Sequence, residues 1–363
     1  MSIKAECDKI TCSQAIAVLQ EMRRNMIHIY LDAMGGDEAP ACTVAGAAEA
    51  LRLNKDLKVT LAGPVATLEP MLAGLQDVRD RILLDDCTDI ITNHDAPVMA
   101  VRQKKNSAQV KGMLAVKEGL VDGFVSAGST GATLAGGMFR LGRIEGVERP
   151  ALAPLLPNGK DYFCLIDCGA NVDCLPHYMP QFGIMGSAYM KCVRGLENPR
   201  VGLVNNGAEA EKGNELTKNA YPLMERAPFN FVGNVEGRDI TADVADVVVA
   251  DGFSGNLILK FMEGVAGTLM GIIKKEMYAD IRGKIGGLIA KPAFRRVKKM
   301  MDYTEVGGAP LLGVKGVVVK AHGSCNAHAI ACAIRQAVLM KENHVVETIT
   351  SEIEKQIKAN ENA

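Results

Sequence analysis

The chain has 363 residues, of which 48% are hydrophobic, so it can form one large core or two lobes that share a cleft. A formal net charge of −1 and an aromatic content of 4% without tryptophan argue against a nucleic-acid-binding protein. Ten cysteines without a signal peptide favour reduced thiols in a cytoplasm, and Cys164, Cys168 and Cys174 lack the usual spacing of zinc ligands. No apolar run approaches the roughly 18 residues of a transmembrane helix, so we expect none.

Residues 1–25 differ from the rest of the chain. Apolar side chains from Ala15 to Met22 can line a short helix, but the segment is neither a secretory signal nor clearly a transit peptide. Met26 precedes the first convincing strand and is therefore a candidate native start. Whether the native protein contains residues 1–25 stays open at this level.

From Met26 onward, short β-rich runs alternate with helical patterns. Strands are predicted at Ile27–Leu31, Lys58–Leu61, Ile82–Leu84, Gly123–Ser126, Tyr162–Ile166, Arg200–Val204, Asn230–Gly233, Ala245–Ala250 and Gly316–Lys320. This alternation predicts an α/β fold with a mainly parallel sheet covered by helices. We expect one domain over residues 26–345, with a helical hairpin inserted at about 271–303, and a C-terminal helix and tail over 346–363.

The clearest strand–turn–helix unit is Ala245–Asn256. Its valines end at Asp251, a glycine-hinged turn carries Ser254 and Asn256, and a helical apolar stripe follows. A helix N-terminus presents unpaired N–H groups and a partial positive charge, so it suits an anion such as phosphate. An ordinary connection with a capping side chain is the alternative.

Two nucleotide-binding motifs are missing from the sequence. No G-x-G-x-x-G follows the first strand and no G-x-x-x-x-G-K-[ST] occurs, which disfavours a nicotinamide-dependent dehydrogenase and a P-loop enzyme.

The segment Lys274–Lys299 is strongly basic, with Glu276 and Asp280 as its only acidic residues. An apolar tip lies between the basic flanks, and Pro292 is predicted to separate two helices. One interpretation is a solvated hairpin or a dimer contact. The other is attachment to an anionic membrane, where each Lys or Arg adds about 1 kcal/mol and the tip residues touch lipid: Ile285, Leu288 and Ile289.

A set of motifs resembles the PlsX family of bacterial phosphate acyltransferases, in order and from about Met26 to the C-terminal helix. They are Leu31–Asp37, Val125–Ala132, Cys168–Cys174, Lys212–Glu215, Gly233–Asp239, Asp251–Asn256, Gly307–Gly313 and Lys320–Ser324. The chain departs from the expected pattern at Ser129, Asn205–Ala208 and Asn106–Ala108.

The resemblance implies conversion of acyl-[acyl-carrier protein] and inorganic phosphate to acyl phosphate and free carrier protein, for phospholipid biosynthesis. It implies a fold similar to the phosphotransacetylase and isopropylmalate-dehydrogenase-like group, and neither cofactor nor metal. It also implies a cytoplasmic homodimer that binds the membrane peripherally and contacts the downstream glycerol-3-phosphate acyltransferase.

Attack of phosphate on a thioester needs positioning and a stabilised oxyanion rather than a covalent nucleophile. We expect Lys212 to clamp phosphate or the oxyanion, Asn256 to donate an amide hydrogen bond, and His322 to protonate the leaving sulfur or donate to the oxyanion. A solvated lysine, an N-cap and a structural histidine are the alternatives. Phosphate and substrate are expected to contact Gly35, Gly36, Asp37, Ser126, Gly128, Thr130, Gly131, Asn171, Asn214, Asp251 and Ser254.

Two other functions compete with this interpretation. A phosphotransacetylase acting on acyl-coenzyme A would bind the same phosphopantetheine arm, although a basic rim of Arg102, Lys104 and Lys105 favours an acidic carrier protein. A non-catalytic membrane-surface scaffold would not need glycine-rich turns at so many strand ends.

Overall fold

The computed structural model describes residues 26–301 and 305–361, so the helix predicted within residues 1–25 lies outside the described residues. The strands are β1 Ile27–Asp32, β2 Leu57–Gly63, β3 Ile82–Asp86, β4 Gly123–Ser126, β5 Ala151–Leu152, β6 Leu155–Pro157, β7 Tyr162–Ile166, β8 Arg200–Asn205, β9 Asn230–Glu236, β10 Val247–Val249, β11 Ala309–Leu312 and β12 Val317–Lys320. The helices are α1 Ala41–Leu53, α2 Val65–Leu68, α3 Pro97–Gln103, α4 Ala108–Lys117, α5 Thr130–Gly136, α6 Tyr178–Arg194, α7 Glu215–Glu225, α8 Gly252–Met277, α9 Ile281–Met301, α10 Ala327–Glu342 and α11 Val345–Glu361.

The strands form a 7-stranded sheet of order β3-β2-β1-β4-β12-β11-β5 and a 5-stranded sheet of order β6-β7-β10-β8-β9. In the first sheet, adjacent strands are parallel from β3 through β2, β1 and β4 to β12. In the second sheet, adjacent strands are parallel from β7 through β10 and β8 to β9. The pairs β12–β11, β11–β5 and β6–β7 are antiparallel. The prediction of a mainly parallel α/β fold is confirmed, but the predicted strands divide between two sheets. Local patterns do not show which strands pair, and the short strands β5, β6 and β11 carry too little periodicity to be recognised.

The central strands are buried on both faces, which explains their continuous valine runs. The side chains of Val247–Val249 in β10 and of Val318 and Val319 in β12 are fully buried. Helices α1 and α10 pack together beside the first sheet, and α6 packs against β7 and β10 of the second. Because the paired strands are parallel, their carboxyl ends lie at one edge of each sheet.

Side-chain caps set where several helices begin. The Asp251 carboxylate accepts a hydrogen bond from the Ser254 backbone N–H at 2.9 Å, so Asp251 caps α8. The capping alternative considered for Ser254 and Asn256 is therefore wrong. Asn214 caps α7 in the same way, through the Thr217 backbone N–H at 2.9 Å.

Helices α8 and α9 form the predicted hairpin, but its turn lies at residues 278–280 and not at Pro292. The Asp280 carboxylate accepts from the Gly283 backbone N–H at 2.6 Å and starts α9 there. Pro292 lies inside α9, where the exposed helix tolerates the one backbone hydrogen bond that proline removes.

By length and composition alone, α8 is also apolar enough to cross a membrane, contrary to the expectation from linear runs. Single polar residues and glycines interrupt the apolar runs of this segment, so a search for an uninterrupted run did not find it. Its first turns nevertheless belong to the folded body, because Gly255 packs directly on the backbone carbonyl of Asp167.

This close approach predicts a specific requirement for glycine at position 255. A Cβ there would lie 1.9 Å from the Asp167 carbonyl oxygen. We expect Gly255→Ala to lower the free energy of unfolding by about 1–3 kcal/mol in urea denaturation, because the backbone must shift.

Gly264→Ala on the same helix is the matched control, because nothing lies within 4 Å of its added Cβ. Helix propensity should raise its stability by up to about 1 kcal/mol. Equal stability of the two variants would contradict the close packing of α8 on Asp167.

Candidate active site

A cavity of about 360 Å³ opens where β4, β7 and β12 end and α8 begins. Its lining residues are Thr130, Leu152, Pro154, Cys168, Gly169, Asn256, Leu259, Lys260, Glu263, Gly308, Ala309, Lys320, Ala321, His322 and Gly323. This is the edge of the sheet at which α/β proteins bind ligands.

Three predicted site residues meet in this cavity: Thr130, Asn256 and His322. Thr130 is the first residue of α5 and follows Ser129, which caps that helix. Since Asp251 caps α8, the Asn256 amide is not needed for capping and faces the cavity beside Gly169. Asn256 can therefore donate to a bound anion.

The His322 ring is held on both sides. Its Nδ1 lies 2.9 Å from the Ser324 hydroxyl, and its Nε2 lies 3.0 Å from the Lys260 ammonium nitrogen. Burial lowers the pKa of His322, and the positive charge of Lys260 lowers it further. The Ser324 backbone N–H also donates to Nδ1, at 3.3 Å. With its lowered pKa the ring is mainly neutral at neutral pH, and a neutral imidazole is a weaker proton donor to sulfur than an imidazolium.

Sequence reasoning missed three cavity residues: Lys260, Glu263 and Lys320. Lys260 forms an ion pair with Glu263 at 2.9 Å, one helical turn along α8. The other carboxylate oxygen of Glu263 is buried and has no hydrogen-bond partner among the described residues. Lys320 is only 8% exposed, and burial lowers its pKa to about 8. A lysine that closes a buried valine strand was the signal available in the sequence.

The glycine-rich turn after β4 is fixed by Ser126. Its hydroxyl donates to the buried Asp32 carboxylate at 2.8 Å and accepts from the Gly128 backbone N–H at 3.0 Å. Burial raises the pKa of Asp32. The Ser126 hydroxyl and the Gly128 backbone N–H, both predicted to bind the substrate, are therefore used to hold the turn.

The turn after β1 supports the cavity from outside. A Cβ on Gly35 would lie 2.6 Å from the Gly128 backbone nitrogen, and Gly36 has a positive φ of 111° that favours glycine. The Asp37 backbone N–H donates to the Gly323 carbonyl at 2.8 Å, so this turn positions the loop that carries His322. Gly131 contacts Pro97 of α3, beside Thr130.

Asn171 does not face the cavity, contrary to its predicted role. Its side-chain amide donates to the Pro150 carbonyl at 2.8 Å and to the Asp167 carboxylate at 3.0 Å. Asp167 is fully buried, and burial raises its pKa to about 6. The Asn171 amide is therefore committed to the scaffold.

Lys212 and Asn214 lie on the connection from β8 to α7, outside the cavity lining. The Lys212 side chain is exposed, and its backbone carbonyl accepts from the Asn205 amide at 3.0 Å.

In the basic rim, Lys104 is already paired with Asp95 at 2.7 Å, whereas Arg102 and Lys105 are exposed. Over residues 26–301 and 305–361, no group of three or more His, Cys, Asp or Glu side chains is arranged to hold a metal ion.

The fold is that of the phosphotransacetylase class. The chain is similar to a phosphotransacetylase from Streptococcus pyogenes, with a TM-score of 0.55 and 18% identity over 98% of this chain and 100% of that one. At this identity the likeness concerns the fold alone.

The chain belongs to the family described as "Fatty acid synthesis protein", whose model matches residues 27–348. It is 49% identical to the phosphate acyltransferase of Alkaliphilus oremlandii over 322 residues, which cover 89% of this chain and 96% of that protein. The phosphate acyltransferase of Clostridium acetobutylicum is 46% identical over 326 residues, covering 90% and 98%.

The contact between Lys260 and His322 predicts the direction of a measurable pKa change. Lys260→Met removes a positive charge that lowers the pKa of His322, so that pKa should rise. NMR titration of the imidazole Cε1 proton, assigned with His322→Gln, checks this.

Lys274→Met, on the same helix but near its far end, should leave the His322 titration unchanged. An unchanged or lower pKa of His322 in Lys260→Met would contradict the contact.

Proposed function

We infer that the protein transfers the acyl group of acyl-[acyl-carrier protein] to inorganic phosphate, releasing acyl phosphate and free carrier protein for phospholipid biosynthesis. Membership of the family and high identity to phosphate acyltransferases support this reaction. The single structural observation that carries it is the cavity in which Lys260 and Lys320 meet Asn256 at the strand ends.

The chemistry suits these side chains. Phosphate is already an anion near neutral pH, so the site must neutralise its charge, hold it against the acyl carbon and stabilise the oxyanion formed on attack. Lys260 supplies charge at the mouth, and the Asn256 amide and the Thr130 hydroxyl supply hydrogen-bond donors. No covalent enzyme intermediate is needed.

We assign the clamp on phosphate to Lys260 in place of Lys212, because Lys260 lines the cavity and Lys212 lies outside its lining. We expect Lys260→Ala to lower kcat/KM by about 100-fold or more, whereas Lys212→Ala should retain near-normal turnover. The assay follows phosphate-dependent loss of acyl-carrier thioester, with acyl phosphate trapped by hydroxylamine.

Lys218→Ala is the matched surface control, on helix α7 just beyond Lys212. A loss in Lys212→Ala as large as that in Lys260→Ala would return the clamp role to Lys212. If the unmodified protein forms no acyl hydroxamate from acyl-carrier thioester and phosphate, the proposed reaction itself fails.

The carrier-protein form of the substrate is proposed over acyl-coenzyme A because of the basic rim. Arg102 and Lys105 lie on or next to α3, which packs against α5 and so borders Thr130 in the cavity. An acidic carrier would be steered to this rim by charge. Turnover of carrier and coenzyme A thioesters of the same acyl group separates the two.

A peripheral position at the cytoplasmic face of the membrane is part of the proposal. The apolar residues predicted at the hairpin tip lie instead within α9, beyond the turn at residues 278–280, where Leu288 is 73% exposed and Ile289 is 77% exposed between basic flanks. The apolar face of α8, from Phe253 to Ile272, is also exposed in the single chain, and a second copy can cover it in a homodimer. Acyl phosphate released there would reach the downstream glycerol-3-phosphate acyltransferase at the same surface.

The exposed apolar residues of α9 predict membrane binding that is separable from catalysis. Leu288→Glu with Ile289→Glu removes apolar contact and adds negative charge, so binding to anionic vesicles should fall at least tenfold in a flotation assay. Turnover of soluble substrate should stay unchanged.

Leu53→Glu, an exposed leucine on α1, is the control and should leave vesicle binding intact. If the variant with both glutamates binds vesicles as well as the unmodified protein, the hairpin is a dimer contact or plain surface instead.

A further inference from the structure

Lys320 occupies the costliest position for a charge in this cavity. It is the last residue of β12, paired with Ser126 of the parallel strand β4 and with Ala309 of the antiparallel strand β11. A buried ammonium ion loses most of its hydration, and unmatched charges of this kind are rare away from functional sites. Lys320 nevertheless lines the cavity.

Within the described chain, the Lys320 ammonium has no carboxylate at ion-pair distance. The one hydrogen bond it makes there is to the backbone carbonyl of Ala321. The charged and titratable groups around it are Asp32, Asp37, Lys260 and Cys325, of which Lys260 opposes its charge. Donor capacity therefore remains for a group in the cavity.

The other proton donors of the cavity are engaged. The Lys260 ammonium is shared between Glu263 and the His322 ring, at 2.9 and 3.0 Å. The His322 ring is in hydrogen-bond contact with Lys260, and its pKa is lowered. Burial raises the pKa of the Cys168 thiol far above its ordinary range.

We propose that Lys320 is the general acid of the reaction, which gives a proton to the leaving thiolate as the thioester carbon–sulfur bond breaks. The assignment rests on the proposed acyl transfer to phosphate. It makes Lys320 a catalytic residue in contact with the reacting sulfur.

The protons balance without an outside acid. A phosphate oxygen bonds to the acyl carbon, the carbon–sulfur bond breaks, and the Lys320 ammonium protonates the sulfur. The resulting neutral amine takes up the proton that the hydrogen phosphate carried. The products are acyl phosphate and a free thiol, and Lys320 returns to its starting state.

Burial supports this role by matching acidities. Burial lowers the pKa of Lys320 to about 8, close to the ordinary thiol value of about 8.5. Proton transfer between groups of similar pKa is efficient, and the amine is still mostly protonated at neutral pH.

The test uses two thioesters of one acyl group, an alkyl thioester of phosphopantetheine and an aryl thioester whose thiolate leaves without a proton. Lys320→Met keeps the length of the side chain and removes a buried charge, so the fold should tolerate it. We expect kcat/KM to fall by about 10²- to 10⁴-fold for the alkyl thioester and by less than about tenfold for the aryl thioester.

The pH profile gives a second readout. In the unmodified protein, kcat/KM for the alkyl thioester should fall as the pH rises through about 8, because the acid loses its proton. Lys320→Arg keeps the positive charge, but its guanidinium does not release a proton in this pH range. In this variant the alkaline limb should disappear, and the alkyl thioester should react as slowly as in Lys320→Met. Lys315→Met, in the loop before β12, is the matched control with both rates unchanged.

Equal losses on the two thioesters in Lys320→Met, with the unmodified protein active on both, would overturn the general-acid role. An alkaline limb that persists in Lys320→Arg would overturn it as well. Absence of acyl phosphate from the unmodified protein with either thioester would instead reject the proposed function.

Discussion

The buried carboxylate of Asp167 is the interaction on which the rest of the structure depends. It follows β7 in one sheet and accepts from the Leu152 backbone N–H of β5 in the other sheet at 2.9 Å. It also accepts from the backbone N–H groups of Ala170 and Asn171, which satisfies a group that would be costly to bury alone. Because Gly255 rests on its backbone carbonyl, one residue positions both sheets and α8 around the cavity.

That arrangement explains how the cavity holds positive charge. Lys260 enters from α8 and is balanced by Glu263, whereas Lys320 enters from the centre of the sheet without an ion-pair partner among the described residues. The result is one partly solvated cation at the mouth and one desolvated cation inside. In the proposed reaction, inorganic phosphate supplies the missing counter-charge.

Some of this site could be predicted from residues alone. Asn256 and His322 follow strand-like runs, and Thr130 follows a glycine-rich turn, so all three were expected near one edge and all three line the cavity. Asn171 has the same local pattern, yet its amide points into the scaffold, because Pro150 and Asp167 approach it from distant parts of the chain. Lys212 resembled a clamp by its position at a helix start, but the β8 to α7 connection leaves it outside the cavity lining.

The sequence by itself determined the alternation of strands and helices, the mainly parallel α/β class and the basic hairpin, because each depends on local periodicity and composition. Tertiary structure alone decided that there are two sheets, since strand pairing joins residues far apart in the chain, and it added the short strands β5, β6 and β11. It also decided that Asp251 rather than Ser254 caps α8, and that Lys320 is desolvated. Burial and hydrogen-bond partners depend on residues far apart in the chain, so no local pattern contains them.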